Sequence, residues 1–168
     1  MADIRFEWDE RKNARNQRKH RVAFEEARSV FFDEFAILIP DPDTSRSEER
    51  FILLGLSGVA RILVVCHCVR AEGEIIRIIS ARKANQTERQ AYRHRHDFSA
   101  GRRNPYVKRL KRQVTIRLDQ DTIDYFKNLS TDTGIPYQTL INLYLRDCAT
   151  NGRKLAVLWD APAGPGTT

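Results

Sequence analysis

The chain has few of the features that mark secreted, membrane or metal-dependent proteins. Its 168 residues include only three cysteines, without the spacing of a disulfide framework and with no signal peptide, so we expect a reducing, cytoplasmic location. Apolar runs such as FILLGL and ILVVC are far too short to cross a bilayer, and no membrane partner is expected. There is no acidic cluster to hold magnesium, which argues against a two-metal nuclease.

The stretch VVCHCV contains two of the three cysteines and raises the question of a metal site. On a strand, Cys66 and Cys68 share one face and His67 points to the other. The spacing is not C-x-x-C, and no second pair of ligands follows, so a core strand is favoured over a metal site. We therefore predict neither a bound metal nor a cofactor.

Acidic residues are almost absent from one short stretch. Residues 95–117 contain eight Lys or Arg residues and a single acidic residue, Asp97, so this stretch accounts for the whole net charge of +7. A field of this strength attracts phosphate groups. The alternative is a solvated basic linker without a ligand.

The pattern of apolar residues divides the chain into two domains. Residues 1–93 predict a strand, two helices, four strands and a helix, which is an α+β layer with an antiparallel meander. Residues 94–112 are basic, contain Gly101 and Pro105, and are expected to form an exposed linker or leader. Residues 113–159 form the second domain, and the tail 160–168 is expected to be disordered.

The second domain begins with QVTIRLD, in which apolar and polar residues alternate. This pattern predicts a strand with Val114, Ile116 and Leu118 on one face. The opposite face carries Gln113, Thr115 and Arg117, which are residue types that reach base edges in the major groove of DNA.

Two helices are predicted after this strand. The first is capped at Asp119 or Asp121 and ends at Gly134, and the second begins near Pro136. A strand and two helices of roughly forty residues cannot bury an adequate core alone. We therefore expect two copies to pair their strands into a ribbon, with the apolar face on the helices and the polar face outward.

The segment KRQVTIRLDQDTIDYFKNLSTDTGIPYQTLINLYLRDC resembles a ribbon-helix-helix antitoxin of the BrnA/CopG type, and the resemblance covers about 95–159. It implies a homodimer that inserts its β-ribbon into operator DNA. Backbone amides at the start of the second helix would hold phosphate. The expected DNA-binding residues are Arg109, Lys111, Gln113, Thr115, Arg117, Gly134 and Tyr137.

Residues 4–92 resemble the BrnT toxin family, whose members are small ribonucleases with a RelE-like fold. The matching segments are FEWDERK, NQRKH, FEEA, EERF and IRIISARKANQTERQAY. One departure is Ala23, where the family usually has a Ser that caps the second helix. The resemblance implies a RelE-like antiparallel sheet with helices. It also implies that a toxin precedes its antitoxin, here on one chain.

Metal-free RNA cleavage needs a base, an acid and cations around the phosphorane that forms when the 2′-hydroxyl attacks. Three arginines can supply the charge, because guanidinium stays protonated and binds phosphate bidentately. His20 or Glu49 would be the base, and Ser80 or Tyr92 would position the phosphate. The candidate catalytic residues are His20, Glu49, Arg50, Arg77, Ser80 and Arg82.

Each candidate has a structural alternative. Strand alternation places Arg77 opposite Ser80 and Arg82, so the arginines converge only if the strand is bulged or twisted, and one of them is expected to pair with Glu49 or Glu88. His20 and Arg82 are the favoured functional pair, although His20 at a helix end can instead contact the last carbonyls. Trp8 and Phe24 are expected in the core rather than as platforms for RNA bases.

The sequence therefore predicts a toxin–antitoxin fusion of natural or artificial origin. Its latent endoribonuclease domain would be neutralised by an attached antitoxin that dimerises and represses its own operator. The expected partners are operator DNA, RNA for the freed toxin domain and a second copy of the chain. The alternative is a DNA-binding repressor whose toxin-like domain is inactive and only mediates protein contacts.

Overall fold

The computed structural model describes residues 4–41, 48–94 and 101–154. The predicted tail 160–168 and residues 155–159 of the second domain lie outside the described residues. Within the described part, an α+β fold is built on one six-stranded sheet. The strands are β1 (Arg5–Glu7), β2 (Ile37–Pro40), β3 (Arg50–Leu56), β4 (Ile62–Arg70), β5 (Ile75–Lys83) and β6 (Arg102–Arg103). The helices are α1 (Glu10–His20), α2 (Phe24–Ser29), α3 (Gln86–Arg93), α4 (Val107–Leu110), α5 (Gln120–Thr133) and α6 (Tyr137–Thr150), with 3₁₀ turns at Val30–Phe32 and Ala71–Gly73.

The sheet is mixed, with the strand order β1-β5-β4-β3-β2-β6. The predicted meander is confirmed, because β2, β3, β4 and β5 pair antiparallel in sequence. The prediction of a wholly antiparallel sheet is wrong, since β1 runs parallel to β5. The sequence does not show the direction of β1, because the alternation within a strand does not depend on the direction of its neighbour. In addition, α1, α2 and three strands separate β1 from β5 along the chain.

Capping residues fix where the N-terminal helices begin. The Asp9 side chain accepts hydrogen bonds from the backbone amides of Arg11 and Lys12, which starts α1. The predicted capping box at α3 is confirmed, because Asn85 and Glu88 each bind the other's backbone amide. Ala23 is the N-cap of α2 and makes no side-chain cap bond, because its methyl group cannot accept a hydrogen bond.

Each face of the sheet buries a separate apolar cluster. One face, which we call the core face, packs under α1 and α2 and includes Leu53, Val65 and Ile78, with Phe24 and Phe31 from the helical side fully buried. Trp8 packs edge-on against Phe24 at 6.4 Å between ring centroids. Phe24 therefore lies in the core, and Trp8 packs against it, as predicted. On the other face, Tyr92 of α3 covers a second cluster.

A β-bulge interrupts β5 at Ile79. Ser80 lies opposite Cys66, but the next register pair joins Ile78 to His67, so Ile79 has no partner. One extra residue reverses which face the following side chains occupy. Arg77 and Ser80 therefore lie on the same face, although they are three residues apart.

Residues 101–110, which we call the leader, are part of the fold of the N-terminal domain. β6 extends the sheet beside β2. The buried side chain of Asn104 donates hydrogen bonds to the carbonyls of Phe31 and Asp33, each at 2.8 Å. Tyr106 and Leu110 pack against the core-face cluster. The expectation of an exposed linker is wrong for these residues. The basic composition of the segment does not show that Asn104 is buried or that Tyr106 and Leu110 pack against the core.

The two predicted C-terminal helices are confirmed. Asp119 is the N-cap of α5, Gly134 ends that helix with a φ of 68°, and Pro136 directly precedes α6. Residues 111–119 belong to no helix or strand in the described single chain. The predicted ribbon needs a second copy and stays a prediction. Among the described residues, no helix is both long and apolar enough to cross a membrane.

Candidate functional site

Arginines from three neighbouring strands lie on the sheet face opposite the core face. Arg50 of β3 and Arg77 of β5 are both register partners of Cys68 in β4, and adjacent strands lie about 4.8 Å apart, so the two arginines are separated by about 10 Å. Arg70 lies on the same face, two residues from Cys68. We call this the arginine face. Sequence analysis missed Arg70, because the alternation within one strand does not show which of its charged residues lie beside those of a neighbouring strand.

A carboxylate that sequence analysis missed also reaches the arginine face. Glu48 accepts a hydrogen bond from Arg70 Nε at 2.9 Å. This bond and one from the Cys68 thiol lower the pKa of Glu48, with a further contribution from the charge of Arg77. Glu48 is therefore ionised at neutral pH, close to the guanidinium groups of Arg70 and Arg77.

The bulge brings Ser80 and Arg82 to the arginine face as well. Ser80 is exposed, whereas Arg82 forms a bidentate pair with Glu88, at 2.7 and 2.8 Å. This pairing lowers the pKa of Glu88, and it is the pairing with Glu49 or Glu88 that was expected of one candidate arginine. The proposal that Tyr92 positions phosphate is wrong, because its buried hydroxyl donates to Asp33 Oδ2 at 2.8 Å.

His20 lies at the edge of the sheet rather than on the arginine face. Together with Ser80 it lines a cavity of about 240 Å³, which we call the edge cavity, between α1 and β5. The expected pair of His20 and Arg82 is not brought together in this cavity, since Arg82 is not among its lining residues. The pair that the fold does bring together is His20 and Ser80.

Glu49 lies in a different place from Glu48. It lines a separate cavity of about 400 Å³, whose other walls include Phe51 and the leader residues Pro105 and Tyr106. Phe51 belongs to the core-face cluster. Glu49 is therefore directed toward the leader, away from the phosphate-binding candidates Ser80 and Arg77.

The predicted orientations in VVCHCV are confirmed. Cys66 and Cys68 point to the arginine face, whereas His67 is fully buried on the core face and bonds Tyr106 Oη through Nε2 at 2.8 Å. Burial raises the pKa of Cys66 to about 12, so this thiol is a poor nucleophile at neutral pH. Burial also lowers the pKa of His67 to about 4, which keeps its imidazole neutral.

The expected DNA-binding residues fall into two groups. Arg109 and Lys111 contact the N-terminal domain: Arg109 Nη1 donates to the Gly73 carbonyl at 2.6 Å, and Lys111 Nζ lies 3.0 Å from Glu34 Oε1. The second group is exposed and accessible to a partner. It comprises Gln113, Thr115, Arg117 and Gly134. Tyr137 is half-buried.

Helix α6 also packs against the N-terminal domain. Leu143, together with Ile135 before the helix, joins the cluster around Tyr92. The guanidinium carbon of Arg146 lies 5.1 Å from the ring centroid of Phe32, a cation–π contact. Burial lowers the pKa of Arg146, with a smaller contribution from Arg28. The C-terminal segment therefore contacts the first domain through its leader and through α6.

Two protein families match consecutive parts of this chain. Residues 8–88 match the family described as the ribonuclease toxin, BrnT, of a type II toxin–antitoxin system, and residues 79–149 match the BrnA antitoxin of a type II toxin–antitoxin system. The 1.1 Å crystal structure of the Brucella abortus ribonuclease toxin, BrnT, is 24% identical over 51% of this chain and 99% of that chain, with a TM-score of 0.36. The comparison with curated proteins gives no match. The chain therefore joins a BrnT toxin domain and a BrnA antitoxin domain, the two parts of a type II toxin–antitoxin module.

Proposed function

We propose that the toxin domain is a latent, metal-independent endoribonuclease whose phosphate-binding surface is the arginine face. The observation that carries this proposal is the bulge at Ile79, which places Arg77 and Ser80 on the face that already carries Arg50 and Arg70. Guanidinium groups in this arrangement can neutralise a phosphodiester and the extra charge of a phosphorane. Toxins of the matched family are described as ribonucleases.

The remaining steps fall to residues beside this face. His20, which lines the same cavity as Ser80, and Glu48, which lies among the arginines, are the two candidates for the base that takes the proton from the 2′-hydroxyl. Ser80 donates a hydrogen bond to a phosphate oxygen. If Glu48 is the base, His20 gives a proton to the leaving 5′-oxygen; if His20 is the base, water gives that proton, because Glu48 is ionised at neutral pH.

The antitoxin domain restrains the toxin domain through contacts within the chain. Asn104 and Tyr106 anchor the leader in the core, and Arg146 fixes α6 on Phe32. Tethering keeps these contacts at an effective concentration on the millimolar scale. We expect the intact chain to be inactive toward RNA for this reason.

The same antitoxin domain binds operator DNA as a dimer. Its predicted ribbon strand is uncovered in the single chain, where Val114 is 71% exposed and Ile116 55% exposed. A second copy would cover this apolar row by antiparallel pairing, and would leave Gln113, Thr115 and Arg117 facing outward into the major groove. The basic residues of the leader that remain free would contact phosphates.

Cutting the chain tests the nuclease. A protease site placed between residues 94 and 101 separates the toxin from the leader, and Asn104→Ala weakens the contact that would keep the leader in place. We expect the cut, weakened protein to cleave single-stranded RNA in the presence of a chelator, and to leave 2′,3′-cyclic phosphate ends. The intact chain serves as the control. If neither preparation cleaves RNA, the toxin domain is not a latent nuclease.

A second candidate function is repression by a catalytically inactive fusion. The observation that favours it is the pairing of the arginines with carboxylates: Arg82 with Glu88, and Arg70 with Glu48 and Glu7. Replacing both His20 and Arg77 by Ala distinguishes the two functions. Growth inhibition by the freed toxin domain that survives these changes indicates a role in protein binding rather than RNA cleavage.

A further inference from the structure

The edge cavity exists because the free edge of β5 is closed by a helix rather than by a strand. β1 pairs with β5 only as far as Arg77. Beyond the bulge, the buried side chain of Asn16 takes the place of a neighbouring strand: its Nδ2 donates to the Ala81 carbonyl at 2.8 Å, and its Oδ1 accepts from the Ala81 amide at 3.1 Å. These two bonds hold α1 against the edge of β5, and a recess remains between the helix and the strand.

The helical wall of the edge cavity is cationic. Lys12, Arg15 and Lys19 line it at positions i, i+3 and i+7, which form one stripe of a helix. All three side chains are exposed, and none takes part in the ion pairs that the described residues form. Their charges are therefore available to an anion.

The opposite wall connects this recess to the arginine face. Ser80 lines the edge cavity and lies on the same face of the sheet as Arg77, so one residue borders both surfaces. The cavity volume of about 240 Å³ is smaller than that of a pocket for a whole small molecule, about 300–1,000 Å³, and suits one sugar–phosphate unit of a longer chain. It lies at the β5 edge of the sheet, whereas the leader strand β6 lies at the other edge, so β6 does not cover it.

We propose that the edge cavity binds a backbone phosphodiester of single-stranded RNA, next to the phosphodiester at the arginine face. This inference rests on the proposed nuclease function and deepens it. RNA would cross the sheet edge at Ser80, with one phosphate among Arg50, Arg70 and Arg77 and the neighbouring phosphate against Lys12 and Lys19. The helix stripe would set the direction in which the strand passes His20.

The test compares two double variants of the intact chain. Lys12→Gln with Lys19→Gln removes two charges from the cavity. Arg11→Gln with Arg18→Gln removes two charges from α1 with the same i, i+7 spacing, but about 100° away around the helix and outside the cavity lining. The probe is a short fluorescein-labelled RNA with 2′-O-methyl riboses, which cannot be cleaved. Its affinity is measured by anisotropy over a range of salt concentrations.

The cavity variant should bind the probe roughly tenfold more weakly at low salt, and the slope of log affinity against log salt should decrease by about 0.7, the value for one lost phosphate contact on a single strand. The control variant should change affinity by less than about twofold, because its charges act only at long range. All four residues are exposed, so both variants should keep the melting temperature of the parent.

The other outcomes overturn the proposal and can be separated from failure of the nuclease function. Equal weakening by both variants would show general attraction to a basic helix, and no weakening by either would show that RNA does not use the cavity. A third variant, Arg77→Gln, tests the arginine face. If this variant alone weakens binding, the cavity is wrong and the nuclease surface stands; if it too has no effect, both proposals fail.

Discussion

At the scale of single residues, polar side chains in the toxin domain replace backbone partners. Asn16 bonds to the edge of β5, and Asn104 donates to the carbonyls of Phe31 and Asp33, in and after the turn Val30–Phe32. His67, which is buried on the core face, forms a hydrogen bond with Tyr106. Buried polar groups are costly when a partner is lost, so these positions connect stability to the antitoxin leader.

His67 should make the stability of the chain depend on pH. Its pKa is about 4 in the folded chain because of burial, against 6.5 when unfolded. Between these values the unfolded chain binds the extra proton, so the free energy of unfolding falls as the pH falls from 6.5 to 4, and the full contribution of about 3 kcal/mol is present above pH 6.5.

The matched variant is His67→Gln, which is polar and does not titrate. Chemical denaturation should show that the stability advantage of the parent over this variant shrinks by about 2 kcal/mol between pH 7.5 and pH 5. Carboxylates with lowered pKa values, such as Glu48 and Glu88, remain ionised in this range. An advantage that is the same at both pH values would show that His67 is not buried in its neutral form.

At the scale of elements, the sequence predicted the helices better than the sheet. Caps at Asn85 and Gly134 are local signals, and both helix ends were found from them. The bulge cannot be located from the sequence, because IIRIIS has apolar residues on both alternating faces of the strand. It therefore does not show where the alternation shifts by one residue. The sequence predicts an exposed linker where the leader lies, because eight cations in and around it give no sign that Asn104 is buried and Tyr106 half-buried. The arginine face could therefore not be assembled from sequence alone.

The leader should contribute to the stability of the toxin domain. Asn104→Ala removes two donated hydrogen bonds and the acceptor for the Tyr106 amide, and leaves buried carbonyls unpaired, which should cost about 3 kcal/mol. Arg102→Ala, at an exposed position of β6, is the control and should change stability by less than about 0.5 kcal/mol. Urea denaturation measures both. Similar small effects would mean that the leader is only loosely attached.

At the scale of the whole molecule, the antitoxin domain exposes the apolar surface that the proposed dimer would cover. Tyr125, Tyr144 and Leu145 are more than half exposed, in addition to the apolar row at residues 114–118. A set of large apolar side chains of this kind is typical of an interface. The dimer would carry two toxin domains, each held by its own leader.

Replacing Ile116 by Lys should break this dimer, because a charge would be buried in the ribbon. Small-angle scattering should give twice the chain mass for the parent and the chain mass for Ile116→Lys, which should also lose affinity for promoter DNA. Arg117→Ala is the control: it should stay dimeric and lose selectivity among DNA sequences. A parent protein that is monomeric at working concentration would exclude the ribbon.

The position of the leader inside the toxin core has a consequence for synthesis. During translation the N-terminal region emerges first. The ring of Tyr106 that covers Phe31 and His67 reaches the nascent domain only after more than a hundred residues have left the ribosome. The core of the toxin domain is therefore completed only once the leader of the antitoxin domain has been synthesised, and a chain that stops before Tyr106 would lack this part of the core.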